Sequence, residues 1–262
     1  MRLDSAIFQR GLTDSREKAQ RLIRGGLVSV DGLVVTKPSF DLSDGAAVAI
    51  AEHDDFVGRG AYKLQGALDA FGIDLAGRVC LDIGASTGGF TEIMLRRGAV
   101  RVYAVDVGTG QLAPRLASDS RVVNLEKTDA RTLTRASFPL PPDFCAIDVS
   151  FISLGCVVPH LAEIFDGTFL ALVKPQFEAG RADLGKHGIV KRPEAHERVL
   201  GSVCAMLNRA GLSLSGLMPS PVRGGDGNIE YLAAFGRTAC AFVPDIRAVV
   251  RHAFQSTPGG AV

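Results

Sequence analysis

The chain has 262 residues, 47% of them hydrophobic, with 29 Lys and Arg against 28 Asp and Glu. That length holds one large domain or a medium and a small one, and the apolar share suffices for a buried core. A net charge of +1 rules out a global basic field for nucleic acid, so any such signal must be local.

Leu3, Ala6 and Ile7 have helical spacing, and Gly11 reads as the stop. Thr13 and Asp14 then offer an N-cap, with Glu17 three residues after Asp14. Ala19, Leu22 and Ile23 make the apolar stripe of a second helix that Gly25-Gly26 ends. Leu27 to Val30 and Leu33 to Val35, joined by Asp31-Gly32, read as a β-hairpin. Arg10, Arg16, Lys18, Arg21 and Arg24 crowd this stretch, and Arg16, Gln20 and Arg24 share one helical face. Such a run is either a solvated surface or a phosphate-contacting face.

The string Leu3-Asp4, Ser15-Arg16, Ala19, Leu22-Ile23, Gly26, Val28, Val30-Asp31-Gly32, Lys37-Pro38-Ser39 resembles the RNA-binding domain named after ribosomal protein S-four. The resemblance implies recognition of structured RNA through Arg2, Arg10, Arg16, Lys18, Arg21, Arg24 and Lys37. Arg2-Leu3-Asp4 also echoes the catalytic triplet of pseudouridine synthases. Here it opens the first helix of the small module, so that role is rejected. Ala51 to Val57, with His53, reads as a linker, and the expected division is 1–58 and 59–262.

Leu64, Ala67, Leu68 and Phe71 form the next helical stripe, stopped at Gly72. Val79 to Ile83 is an apolar run interrupted by Asp82, followed by the glycine-rich turn Gly84-Ala85-Ser86-Thr87-Gly88-Gly89-Phe90 and a helix-like stretch. That is the first βα unit of a doubly wound α/β sheet. The spacing is not G-x-G-x-x-G, so a dinucleotide pyrophosphate is a poor match. The D-x-G-x-x-x-G-G pattern resembles the first motif of S-adenosylmethionine methyltransferases, and implies cofactor contacts along Asp82 and Gly84 through Phe90. Arg101 to Val107 is the second strand. Asp106, with Val107 after it, stands where an acidic residue holds ribose hydroxyls. After a third strand at Val122 to Leu125, Asp129 either accepts from an adenine amino group or caps a helix. Strands follow at Phe144 to Val149 and Phe169 to Val173, then an antiparallel edge pair at Ser213 to Met218 and Ile229 to Phe235. Helices are expected at about 153–166 and 193–210. Gly180 to Arg192, with Arg181, Lys186, His187 and Lys191, reads as an RNA-contacting or merely solvated loop.

The chemistry narrows by what is missing. Asp148-Val149-Ser150-Phe151 is not the N-P-P-Y of amine methyltransferases. A carbon-5 enzyme needs a nucleophilic cysteine, yet Cys80 and Cys145 sit inside apolar strands, where thiols are inert. The five cysteines are scattered without a C-x-x-C, which argues against zinc or a disulfide scaffold and fits a reducing cytosol. No metal is expected. No apolar run approaches the roughly 18 residues a membrane span needs, and no signal peptide is read.

Lys63, Asp148, Lys174 and Glu230 together resemble the catalytic set of FtsJ/RrmJ-type ribose 2′-O-methyltransferases. Gly60-Ala61-Tyr62-Lys63-Leu64, Asp82 to Thr91, Asp148 to Leu154, Val173 to Glu178 and Gly227-Asn228-Ile229-Glu230-Tyr231 are similar to the TlyA family of bacterial rRNA 2′-O-methyltransferases, often labelled hemolysin A. Tyr62 departs from a family His, and Thr109 from a frequent Tyr. The resemblance implies a Rossmann-like methyltransferase sheet behind the RNA-binding module. It implies S-adenosylmethionine as cofactor, ribosomal RNA or ribosomal subunits as partner, a cytidine as target and a cytoplasmic setting. It also implies Lys174 as base, Asp148 and Glu230 as orienting carboxylates and Lys63 as electrostatic partner. For Lys174 to act as base, the expectation is that the two lysines depress one another's pKa. The rival expectations are an assembly factor with a vestigial cofactor pocket and a membrane-active hemolysin. Oligomeric state is not legible.

Overall fold

The computed structural model describes residues 1–13, 15–50, 56–180, 183–185, 188–225 and 227–255. They fall into two compact units, within Met1–Asp55 and Phe56–Pro258.

The first unit runs α1 (Leu3–Gln9), α2 (Arg16–Arg24), β1 (Val28–Val30), β2 (Leu33–Val34) and β3 (Val48–Ile50). The 3-4 spacing puts Leu3, Ala6 and Ile7 on one face of α1 and Ala19, Leu22 and Ile23 on one face of α2. All six are buried with Val28 and Val30. Asp31 and Gly32 both take positive φ, +50° and +80°, the backbone a two-residue hairpin requires. β3 pairs with the free side of β1, a strand the sequence reading did not foresee. The cap of α2 also differs. Ser15 Oγ accepts from Lys18 N at 3.1 Å, whereas Thr13 donates to the Ser15 carbonyl at 3.0 Å. Asp14 and most of the expected linker, 51–55 with His53, lie outside the described residues.

The second unit opens with α3 (Gly60–Phe71), then β4 (Val79–Ile83), α4 (Gly89–Arg96), β5 (Arg101–Val105), α5 (Pro114–Ala117), β6 (Val122–Leu125) and β7 (Phe144–Ile147). α6 (Val158–Ile164), β8 (Thr168–Val173), α7 (Pro175–Glu178), α8 (Pro193–Arg209), β9 (Ser213–Pro219), β10 (Tyr231–Gly236) and α9 (Ile246–Gln255) complete it. The sheet order is β6-β5-β4-β7-β8-β10-β9. The first five strands are parallel, and β10 is antiparallel to both β8 and β9. This is the Rossmann-like α/β sheet expected, with the antiparallel pair at one edge.

Alternation along the strands feeds two apolar layers. Leu81 and Ile83 enter one, Cys80 the other. β4 hydrogen-bonds to β5 on one side and β7 on the other. The connections leave in opposite directions there, opening a crevice at the strands' carboxyl ends.

A buried polar knot holds the other edge. His196 of α8 and Tyr231 of β10 are fully buried, and the Tyr231 hydroxyl lies 2.9 Å from His196 Nδ1. His196 Nε2 lies 2.9 Å from the Val190 carbonyl, so neutral His196 with its proton on Nε2 accepts from Tyr231. Tyr231→Phe leaves Nδ1 buried without its donor. We expect it to lower the unfolding free energy by about 1–3 kcal/mol, read from urea denaturation; an unchanged midpoint would show the bond to be dispensable.

Candidate active site

The crevice carries the expected residues at the ends of successive strands. β4 ends at Ile83, and the amides of Gly84 and Ala85 both donate to the Val105 carbonyl, at 2.9 and 3.1 Å. That turn needs left-handed backbone at Gly84, φ +86°, and a Cβ there would lie 2.4 Å from the Asp148 carbonyl. At Gly89 a Cβ would meet the Ala61 amide at 2.9 Å, and at Gly88 the Leu116 side chain at 2.3 Å. The room these glycines leave is therefore filled by the protein's own atoms: the loop packs onto β7's end, α3 and α5.

A cleft of about 510 Å³ brings together Gly84, Ser86, Asp106, Val107, Asp129 and Asp148. Ala85, Thr87, Gly89 and Phe90 line a neighbouring hollow with Gly58 and Gly60. Asp106 ties the loops: Oδ2 accepts from Ser86 N at 2.8 Å and Oδ1 from Gly108 N at 2.7 Å. Asp129 caps a short 3₁₀ turn, accepting from Arg131 N at 2.9 Å, and pairs with the Arg131 guanidinium at 2.6 Å. The capping role is therefore present, and its carboxylate still stands at the cleft wall. Thr109 bonds Glu126 at 3.0 Å, joining the loops after β5 and β6.

Asp82 lies beneath the loop, fully buried. Its Oδ2 accepts from Thr91 Oγ1 at 2.6 Å, and its Oδ1 has no partner. Burial, the largest cause, pushes this carboxyl up to about 7. A buried acceptor left open in this way fits a ligand group arriving from the crevice. Burial also raises the Cys80 thiol to about 12 and Cys145 well above the usual thiol range, so neither is poised as a nucleophile.

The four charged residues converge from distant parts of the chain. In the antiparallel register Tyr231 faces Val173, which sets Glu230 beside Lys174 just beyond the last pair. Asp148 follows β7, and Lys63 stands in the first turn of α3. The structure couples them as two pairs. Lys63 Nζ donates to Glu230 Oε2 at 2.6 Å, both side chains under a tenth exposed. Lys174 Nζ lies 2.7 Å from Asp148 Oδ1 and donates to Ser150 Oγ at 2.7 Å. The Asp148 contact is an ion pair without a well-aligned hydrogen bond on that oxygen. Each lysine thus faces its own carboxylate.

The sequence reading missed Phe151. It is 92% exposed at a strained φ of +64°, its ring 5.1 Å from that of Phe177, beside Lys174. A large aromatic this exposed in left-handed backbone is uncommon, and no sequence pattern reports exposure. Glu178 joins the two loops by accepting from Ser153 Oγ at 2.6 Å and Leu154 N at 2.7 Å.

In the first unit, Arg2 and Arg16 converge on buried Asp4. Arg10 donates to the Ala46 carbonyl at 3.1 Å, and Arg24 to Gln20 at 3.4 Å. Lys18 and Arg21 lie in α2, and Lys37 is exposed. In the loop 180–192, Arg181, Lys186 and His187 lie outside the described residues. Its end is fastened, since buried Val190 donates to Asn228 Oδ1 at 3.1 Å. Among the described residues, no cluster of His, Cys, Asp or Glu is arranged to hold a metal, and no helix is long and apolar enough to cross a membrane.

Residues 56–237 match the family described as FtsJ-like methyltransferase, and residues 1–48 match the S4 domain. The chain is 45% identical over 234 residues to the 16S/23S rRNA (cytidine-2′-O)-methyltransferase TlyA of Mycobacterium tuberculosis, covering 88% of this chain and 87% of that protein. It is 39% identical to hemolysin A of Brachyspira hyodysenteriae, covering 90% and 99%. A solved structure from Streptococcus thermophilus, described under the hemolysin label, superposes with a TM-score of 0.78 at 42% identity, covering 97% of this chain and 96% of that one. The chain belongs to the TlyA family, combining an S4 domain with an FtsJ-like methyltransferase domain.

Proposed function

We propose that this protein transfers a methyl group from S-adenosylmethionine to the ribose 2′-oxygen of a cytidine in ribosomal RNA. The observation that carries the reading is the two ion pairs Lys63–Glu230 and Lys174–Asp148, with Asp148 lining the cleft behind the glycine loop. We read residues 1–58 as the RNA-binding part and 59–262 as the catalytic part. A ribosomal RNA substrate and five free cysteines suit the cytoplasm.

The cleft lies within the 300–1,000 Å³ typical of small-molecule sites. Asp82 offers an open buried acceptor and Asp106 and Asp129 offer carboxylates, an acceptor set that fits the amino and hydroxyl groups of S-adenosylmethionine. When bound, the cofactor supplies an activated methyl group. The protein's task is to hold the ribose hydroxyl in line and take its proton, because a hydroxyl is a poor nucleophile near neutral pH. Asp148 and Ser150 fix Lys174 Nζ between them. A lysine acts as base only as the neutral amine, which has two N–H bonds. One is donated to Ser150 Oγ and Asp148 Oδ1 lies beside the nitrogen, an arrangement that leaves the lone pair for the hydroxyl proton. Glu230 holds Lys63 in the buried wall, where a charge without its partner would be costly. Phe151 and Phe177 give the acceptor base a surface for stacking.

Replacing Lys174 by Ala removes the base without touching the cleft's cofactor residues. We expect methyl transfer to fall by about 10²–10⁴-fold, with S-adenosylmethionine affinity by calorimetry unchanged. Equal loss of both would make Lys174 a structural residue.

Asp82 makes a second prediction. Its carboxyl titrates higher folded than unfolded, so the folded state binds the extra proton. Stability of the ligand-free protein is thus favoured at low pH and lost as pH rises from about 4 to about 7. Asp82→Asn, whose amide still pairs with Thr91, should flatten that part of the stability profile in urea melts at stepped pH. A variant with the same pH slope as the parent would show that Asp82 is charged throughout.

A further inference from the structure

The triplet Arg2-Leu3-Asp4 has no place in the methyl-transfer chemistry, yet it is built with care. Leu3 enters the core of the first unit, while Arg2 and Asp4 bond one another. Asp4 is fully buried. Its Oδ2 accepts from Arg2 Nη2 at 2.9 Å, from Arg16 Nε and Nη2 at 3.2 and 3.1 Å, and from Gln20 Nε2 at 2.7 Å. Its Oδ1 accepts from Arg2 Nε at 3.0 Å and Ser5 N at 2.9 Å. Two guanidiniums, one ahead of α1 and one opening α2, therefore share a single carboxylate oxygen.

Both arginine side chains remain half exposed, at 50%. Both engage Asp4 through the Nε–Nη2 edge, leaving Nη1 of each outside that contact. Two like charges this close repel one another, and the carboxylate between them holds them side by side. Gln20 extends the cluster, accepting from Arg24 at 3.4 Å while donating to Asp4.

We infer that Asp4 is a positioning residue for RNA, holding Arg2 and Arg16 as a preformed paired seat for the phosphodiester backbone. The inference rests on the RNA-binding reading of this unit. It makes an unusual claim about sign. On charge alone, removing an anion from a basic face tightens RNA binding. If Asp4 preorganises the forks, removing its charge frees two long side chains that must be ordered again on binding, and binding weakens.

The test titrates the full chain with fluorescently labelled, unmodified ribosomal subunits over a salt series, with circular dichroism as the check on folding. Asp4→Asn is expected to bind about tenfold more weakly at fixed salt, the size expected when preorganisation is lost. Arg16→Lys keeps the charge and loses the planar fork. It should bind several-fold more weakly, with thermal unfolding and the salt slope unchanged. Should Asp4→Asn fail to fold, Arg16→Lys decides. Binding by Asp4→Asn as tight as the parent's or tighter, or Arg16→Lys equal to the parent, overturns the inference. Undiminished binding by the double variant Arg2→Ala, Arg16→Ala would instead overturn the RNA-binding role of this face.

Discussion

The antiparallel register of β10 on β8 is the constraint on which the site depends. Tyr231 faces Val173, so the next residue on each strand, Glu230 and Lys174, emerges together at the crevice. A slip by one residue would turn the pleat and send Glu230 to the opposite face. The His196–Tyr231 bond pins that same residue from the helix layer. Asn228, two residues before Glu230, is 1% exposed and fastens the preceding loop through Val190. Packing far from the chemistry thereby sets where the carboxylate stands.

Given that register, the charges divide unequally between interior and cleft. Lys63 and Glu230 are both nearly buried and satisfy one another. Such a pair adds little net stability but is costly to break, which suits a fixed wall. Lys174 and Asp148 are more open, 11% and 20% exposed, and Ser150 shares the lysine. The pair nearer solvent is the one to which the proposed reaction assigns the incoming hydroxyl. The first unit divides its charges differently: one buried carboxylate, Asp4, holds two half-exposed cations.

Much of this was legible in the sequence, for identifiable reasons. Parallel strands buried on both faces read as apolar runs, so β4, β5, β7 and β8 and the polar residues at their ends stood out. Gly84, Gly88 and Gly89 marked the loop, though their structural reason is contact with Asp148, Leu116 and Ala61 rather than space for a ligand alone. The four charged residues were picked out by family resemblance. Their pairing was not, because it depends on which carboxylate the tertiary register brings to which lysine. Ser15 as cap, the strand β3 and the terminal helix α9 were missed. The alternatives at the first differ by one position, and β3 spans only Val48–Ile50. Ile246, Val249, Val250 and Ala253 of α9 do carry helical spacing, a signal that was present and unread. Exposure at Phe151 has no sequence signature.

The most direct test of the account incubates the purified full chain with tritiated S-adenosylmethionine and each unmodified ribosomal subunit separately. Label is then mapped by primer extension at limiting nucleotide, which halts at 2′-O-methyl ribose. The account predicts label on ribosomal RNA and a halt at a cytidine. Label on a base rather than a ribose, or no label on either subunit while the cofactor binds, would contradict it.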